Sequence, residues 1–462
     1  MNHEKLAALC HRYQAIILTV NSEQICIAIN GTPSQEFIEA LEFASNRRIV
    51  IESWDIERLE KFRLGEQFTA DNTALNGSAV QLVNYALNQA ASRRASDLHV
   101  EPDADACRIR LRIDGVLHPL TEFPTAQAAS VVARFKILGS LDIAERRIPQ
   151  DGQFNHHING EKLSLRISTL PCLNGEKIVL RLLRQQNRPL TLEALGMPDG
   201  ALKKFEQALA SAQGLILVTG PTGSGKTLTL YSALHTLNKP SVNISCVEDP
   251  IELPLPGLTQ TQIHPRAGIT FQTVLRALLR QDPDIIMVGE IRDGETAEIA
   301  VKAAQTGHLV LSTVHTNSAA EALTRLEQMG IARWQLTSAL RLIIAQRLVR
   351  RLCPHCREEQ PPANLPASLS SEPLPHWSAK GCERCYSGYY DRLALFEILV
   401  VNEALKEAIL ANQTASVIED IARRHGTHIL IECGLQAVRE GLTTLEEVWR
   451  VLGVPHVCAS ES

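Results

Sequence analysis

The sequence predicts an α/β protein: a parallel-sheet core in its second half, smaller α+β units ahead of it, a four-cysteine insertion after it and a helical tail. Three observations carry this. Between residues 200 and 350, short β-branched apolar runs alternate with segments of helical periodicity, as in strands joined by crossover helices. One of those runs, LILVT (215–219), enters the glycine turn GPTGSGKT (220–227) and leaves it as a helical segment. Two C-x-x-C pairs follow the core.

From the amino terminus, residues 3–13 have the spacing of a short helix. AIILTV (15–20) and ICIAIN (25–30) read as strands around the turn NSEQ. SQEFIEALEFAS (34–45) opens on a Ser and an acid and keeps helical spacing. RRIVIESW (47–54) is a further strand and DIERLEKFRL (55–64) a further helix, so residues 1–66 make one small α+β unit. The polar stretch 65–78 is a linker. A second unit, 79–185, starts with an amphipathic helix (79–95) and SDLHVEP. CRIRLRIDGVLHPL then alternates Arg with apolar residues and breaks at Asp114-Gly115, a hairpin signal. A helix over about 125–140 and strands KLSLRIST and KIVLRLL complete it. Residues 184–196 are a second linker. The core spans 200–352, the four-cysteine segment 353–385, and 386–462 reads as mostly helical.

Composition excludes several classes. With 462 residues the chain is too long for one ordinary core. Its net charge of −5 exerts no global pull on nucleic acid or anionic lipid. No run approaches the roughly 18 apolar residues of a membrane span. The start, MNHEKLAALCHRYQAIILTV, lacks a basic region followed by a cleavable apolar core, so a cytoplasmic protein is expected. Its 11 cysteines, an odd number, argue against a disulfide framework. Seven are scattered (Cys10, Cys26, Cys107, Cys172, Cys246, Cys433, Cys458) and read as small buried or incidental residues.

Gly220-Pro221-Thr222-Gly223-Ser224-Gly225-Lys226-Thr227 fits G-x-x-x-x-G-K-[ST], the P-loop. Its glycines let successive N–H groups converge on phosphate oxygens without a Cβ in the way. The helix starting near Lys226 adds its positive N-terminus. Lys226 then neutralises the β- and γ-phosphates and the Thr227 hydroxyl ligates Mg²⁺, so ATP and Mg²⁺ are the expected cofactors. DIIMVGEIRD (284–293) is a second buried strand leading to Glu290, an acid placed to hold the Mg²⁺ shell or orient water. ISCVEDPIELP (244–254) puts Glu248 and Asp249 at the end of a third strand. Arg276 and Arg280 stand four apart on one helical face, a spacing that suits bidentate phosphate contact and equally a solvated face. TGHLVLSTVHTN (306–317) carries His308 and His315 around a strand. His315 sits at its carboxyl end, the edge where open α/β sheets bind ligands.

Cys353, Cys356, Cys382 and Cys385 read as a tetrahedral Zn²⁺ site. Four thiolates close the coordination sphere, so the metal is structural. His355 could ligate, but four cysteines make it unnecessary. The presence of two pairs weighs against a redox C-x-x-C. The intervening EEQPPANLPASLSSEPLPHW (358–377) is Pro- and Ser-rich, shows no core of its own, and is pinned at its ends by the metal.

With these pieces placed, the chain after residue 79 resembles the ATPases of type II secretion and type IV pilus assembly, the GspE/PulE/PilB family, and within it the HofB-type members. Residues 220–227 are similar to the family's Walker A motif, VEDPIE (247–252) to its Asp box, IMVGEIRD (286–293) to its Walker B and TGHLVLSTVHTN to its His box. SDLHVEP, RIPQDGQF (147–154) and LPCLNGEKIVLRLL (170–183) resemble its second N-terminal domain, and GLTTLEEVWRVLG (441–453) its C-terminal signature. The resemblance implies a RecA-like P-loop ATPase domain, a homohexameric ring, and a nucleotide held between that domain and the preceding one. Arginines of the preceding domain reach the phosphates; by motif these are Arg166 and Arg181. Arg276 and Arg280 match further family arginines. Glu248 and Glu290 match the acids for water activation and Mg²⁺, which leaves open which is the base. Assembly-type members carry the four-cysteine insertion and retraction-type members lack it, which favours assembly or secretion.

The resemblance also implies the surroundings. Residues 1–66 look like a reduced docking domain, or a folded spacer, that meets a membrane-anchored docking protein. An inner-membrane platform protein would be what the ring moves, so the chain is peripheral to that membrane. The lone RLG at 63–65 does not make a cyclic di-GMP site. Two further readings stand beside this one. A DNA motor could use RIRLRI and ASRRAS as a basic face, but no aromatic stacking stripe accompanies them, and no nucleic-acid partner is expected. A scaffold could bind nucleotide without turnover.

Overall fold

The computed structural model describes residues 15–20, 24–31, 33–44, 48–54, 79–158, 161–183, 190–366 and 372–454, with Cys10, Tyr13 and Leu369 besides. Outside the described residues lie the helices expected at 3–13 (Cys10 and Tyr13 apart) and 55–64, the linker 65–78 with RLG before it, and the first six residues of the linker 184–196.

In the first unit, β1 (Ile16–Val20) and β2 (Gln24–Asn30) pair antiparallel. Helix α1 (Gln35–Ala44) then crosses to β3 (Arg48–Trp54), parallel to β2. Ile25, Ile27 and Ile29 share one face of β2 and bury against Phe37 and Leu41, which share one face of α1.

The second unit runs α2 (Ala79–Ser92), β4 (Asp97–Pro102), β5 (Ala106–Ile113), β6 (Val116–Pro124), α3 (Thr125–Leu138), β7 (Gln150–Ile158), β8 (Glu161–Cys172) and β9 (Gly175–Leu183). Its antiparallel sheet has the order β6-β5-β4-β9-β8-β7. Asp114 and Gly115, at φ 49° and 87°, make the tight β5–β6 turn. Cys107, Ile109, Leu111 and Ile113 bury toward Val83 and Leu87 of α2 and Phe135 of α3. The intervening arginines stay on the polar face, where Arg110 meets Glu101 at 2.7 Å. Strand β7 is an element that the sequence pattern does not predict. Its sequence, QDGQFNHHI, is polar because much of it faces solvent.

The core continues with α4 (Asp199–Leu209), β10 (Gly214–Thr219), α5 (Lys226–Leu237), β11 (Ile244–Glu248), β12 (Thr259–Gln262), α6 (Phe271–Leu278), β13 (Ile285–Val288), α7 (Gly294–Gln305), β14 (Leu309–Val314), α8 (Ala319–Gln328), α9 (Arg333–Ala339) and β15 (Leu340–Leu352). After the hairpin β16 (Arg357–Ala363) and β17 (Leu374–Ala379) come β18 (Tyr389–Val400) and helices α10 (Glu403–Leu410), α11 (Ala415–Arg424), α12 (Leu430–Arg439) and α13 (Leu445–Leu452). The sheet order is β12-β11-β13-β14-β10-β15-β18, parallel except for β18. Leu215 and Leu217 feed the core on one face of the sheet, Ile216 and Val218 that on the other. The expected α/β class is therefore present.

Two expectations are corrected. The stretch 389–400 is not part of a helical tail but a strand of the main sheet. Its run LALFEILV is apolar almost throughout, and such runs do not declare helix or strand by periodicity. The segment between the cysteine pairs is also not coreless. It forms β16 and β17, and Leu374 is fully buried against Leu435 and Val438 of α12 and Val448 of α13.

Candidate active site

β10 is buried along its whole length and delivers the chain to the carboxyl edge of the sheet. There the backbone must pass close to β15. A Cβ on Gly220 (φ 146°) would lie 2.5 Å from the Gln346 carbonyl, and one on Gly225 (φ 90°) 2.8 Å from Gln346 Nε2. Helix α5 begins at Lys226. Its buried Nζ turns back to donate to the carbonyls of Gly220 and Pro221, at 2.8 and 3.0 Å. Burial pushes the Lys226 pKa down to about 8; Glu290 opposes that shift and Arg347 adds to it. Ser224 Oγ is buried without a partner among the described residues, while Thr222, Gly223 and Thr227 are exposed. A glycine cradle, a buried ammonium, an unpartnered hydroxyl and an exposed threonine hydroxyl fit a phosphate chain with its Mg²⁺.

Glu248 closes β11 and is buried. It accepts from the Tyr231 hydroxyl of α5 and, at 2.9 Å, from Gln260 Nε2 of β12. Burial pushes its carboxyl up, and the Tyr231 and Gln260 bonds pull it back in part. Glu290, two residues past β13, is paired with Arg292 and lies 3.7 Å from His315 Nε2. Burial and the nearby Lys226 hold His315 below its ordinary pKa, with Glu290 acting the other way. The loops after β10 and β14 are stitched together by Thr219 Oγ1 and Thr316 Oγ1, 2.7 Å apart. Lys226, Glu290 and His315 thus converge, while His308 bonds the Ala303 carbonyl at the other end of β14.

The arginines are placed differently. Arg166 of β8 reaches the loop after Glu248, with Nη1 3.2 Å from Glu252 Oε2 and Nη2 donating to the Ile251 carbonyl at 3.2 Å. Arg181, its cross-strand neighbour, turns instead to Asp97 at 3.1 Å. Arg276 of α6 pairs with Glu295 at 2.7 Å. Arg280 does not share that helix: α6 ends at Leu278, ahead of Asp282 at φ 49° and Pro283, and Arg280 donates to the Arg276 carbonyl from the turn beyond.

Four neighbours escaped sequence reasoning: Tyr231, Gln260, Gln346 and Arg347. Gln346 Oε1 accepts from Thr229 at 2.7 Å, and Arg347, buried under the loop, donates to the Asn317 carbonyl at 2.8 Å. The available signal was a Gln-Arg pair interrupting the apolar run LIIAQRLV. Beside the loop lies a cleft of about 480 Å³ that includes Gly220, Pro221, His315 and Asn317. A larger, mostly apolar cavity of about 950 Å³ lies between β18, α11 and α12 and contains no P-loop residue.

In the four-cysteine segment, Sγ–Sγ separations are 3.8 Å (Cys353–Cys382) and 3.6 Å (Cys356–Cys385, Cys382–Cys385), and the four ligand atoms lie within 4.8 Å of one another. Sulfurs about 2.3 Å from a tetrahedral Zn²⁺ are about 3.8 Å apart. The four thiols therefore fit zinc.

The family described as "Type II/IV secretion system protein" matches residues 72–450. The protein transport protein HofB homolog of Escherichia coli (strain K12) is 54% identical over 99% of this chain and 100% of its own. The type IV pilus assembly ATPase PilB of Pseudomonas aeruginosa is 44% identical over 87% of this chain and 72% of its own. Among solved structures, the pilus retraction motor PilT with bound ADP matches with a TM-score of 0.53 and 26% identity, over 82% of this chain and 98% of that one. The chain belongs to the type II/IV secretion system protein family.

Proposed function

We propose that this chain is an ATPase subunit that converts ATP hydrolysis into movement of the arginine-bearing unit, and so powers assembly of a type IV pilus or a type II secretion pseudopilus. The observation that supports this best is Arg166. It reaches from a separately cored unit to the loop between Glu248 and Glu252, on the sheet edge that carries Lys226. A guanidinium delivered by one body to a P-loop on another makes domain position depend on the phosphate between them.

In this reading the P-loop N–H groups, Lys226 and Thr227 grip the triphosphate and its Mg²⁺, which when bound neutralises charge on the β- and γ-oxygens. Glu290, already paired with the Arg292 guanidinium and lying 3.7 Å from His315, would hold the Mg²⁺ shell. Glu248, whose carboxylate accepts from the neutral donors Tyr231 and Gln260, orients the attacking water. Arg181, Arg276 and Arg280 join the phosphates when nucleotide is bound in a homohexamer. Zinc would staple the segment 353–385 and touch no reacting atom. Among the described residues no helix is long and apolar enough to cross a membrane. We place the chain at the inner membrane through a platform protein and a docking protein that meets residues 1–66.

Phosphate release by the purified protein tests this. Lys226→Ala is expected to lose roughly 10²-fold or more of the wild-type rate while keeping the wild-type thermal midpoint. A variant that turns over at the wild-type rate would show that the reaction lies elsewhere.

A further inference from the structure

We infer that the second cysteine pair is the seat of the arginine-bearing unit, so that metal bound at the four cysteines sets where Arg166 lies over the nucleotide. This rests on the ATPase reading and adds a positioning role for residues outside the nucleotide site. Among the described residues, two sets of contacts join the unit to the core. One is Arg166, on β8. The other is the β5–β6 turn, three strands away across the same sheet, or about 14 Å at the usual strand spacing. There the Asp391 N–H donates to Asp114 Oδ2 at 3.0 Å, and the Arg94 guanidinium lies 3.9 Å from the centre of the Tyr390 ring and 3.6 Å from Asp114. Tyr386, the residue after Cys385, packs against the apolar core of the unit, its ring 5.8 Å from that of His118.

Of those contact residues, Tyr390 and Asp391 open β18, whose Tyr389 and Arg392 pair with Leu352 and Arg350 of β15, whereas Tyr386 stands in the turn between Cys385 and that strand. Tyr386 and Tyr389 bond each other through the backbone, and the Cys353 N–H takes the Gly388 carbonyl at 2.9 Å. On the other side, Cys353 directly follows β15, the strand whose Gln346 and Arg347 touch the P-loop. Beyond the last of those strand pairs, a metal that closes Cys353, Cys356, Cys382 and Cys385 adds a second tie, from the end of β15 to the turn that carries Tyr386. Two sites that bias one mounting geometry are coupled reciprocally, so nucleotide must also tighten the hold on zinc.

Zinc-loaded full-length protein is exposed to excess chromogenic chelator, and zinc loss is timed with and without a nonhydrolysable ATP analogue and Mg²⁺. In wild type the analogue is expected to slow the loss about fivefold or more. Tyr390→Ala and Arg166→Ala should abolish that protection, whereas Tyr390→Phe, which keeps a ring under Arg94, should retain it. If Tyr390→Ala does not fold, Arg94→Gln replaces it with the same expected loss. Protection of Tyr390→Ala or Arg94→Gln equal to that of wild type overturns the inference. So does absence of protection in a wild type that hydrolyses ATP, and in either case the ATPase reading stands. A wild type that neither binds nor hydrolyses ATP removes that reading as well.

Discussion

At the scale of the residue, one buried carboxylate sits where two backbone N–H groups converge. Glu397 of β18 accepts from Ala319 N at 2.8 Å and Leu430 N at 3.2 Å, the first residues of α8 and α12, where helix N-termini favour an anion. Burial still dominates and pushes its pKa to about 7, from an ordinary 4.5. The folded protein thus holds this proton more tightly than the unfolded chain. The stability this contributes is complete below about pH 4.5 and is lost as pH rises through about 7. The difference corresponds to about 3 kcal/mol. Glu397→Gln cannot titrate, so between pH 4.5 and 8 the variant should gain on wild type by up to that amount in urea unfolding; parallel pH profiles would dismiss the assignment. The same scale shows what spacing can and cannot tell. Lys226 stands out because a P-loop is contiguous, and Glu248 and His315 because strand ends follow from apolar runs. Gln346 carries no such mark, since its bond to Thr229 spans 117 positions and depends on β15 lying beside β10.

At the scale of the element, α13 is locked to β15 by one acid. Thr444 caps the helix and accepts from Glu447 N. The fully buried Glu447 carboxylate takes the Arg350 N–H at 2.9 Å and Nε at 3.0 Å, and Arg450 at 2.6 and 2.7 Å. Removing the acid leaves Arg350 facing a dry gap, and breaking a buried pair from one side costs about 3–5 kcal/mol. Glu447→Ala should therefore lower unfolding stability by that amount, measured by chemical denaturation, and a loss under about 1 kcal/mol would mean the pair is open to water. The capping Thr and the third-position Glu are visible in TTLEEV, but their partner strand is not. Likewise β16 and β17 were hidden because Leu374 buries against helices some 60 residues later, which no local window sees. β18 was hidden because its stretch from Leu393 to Val400 is apolar at every position but Glu397 instead of alternating.

At the scale of the whole molecule, the α/β class was legible because parallel strands flanked by helices impose buried runs at regular intervals. The antiparallel edge strand that closes the sheet was not, because it returns only after the cysteine segment. What one chain leaves unfinished also shows at this scale. Arg276 is tied to Glu295 by a pair exposed on both sides, worth at most about 1 kcal/mol, so it is readily released to a stronger anion. Our proposal of a ring gives it one: the phosphates held by a neighbouring chain. Heterologous interfaces make this testable, because each chain then supplies its P-loop to one contact and its arginine to the other. Arg276→Ala and Lys226→Ala should each be impaired by at least about tenfold. Mixed in equal amounts, they form contacts in which an intact Lys226 meets an intact Arg276. Phosphate release by the mixture should then exceed the average of the two variants severalfold, and rise further at protein concentrations where sedimentation shows assembly. If Arg276 acts within its own chain, mixing restores nothing, and activity follows the average at every ratio.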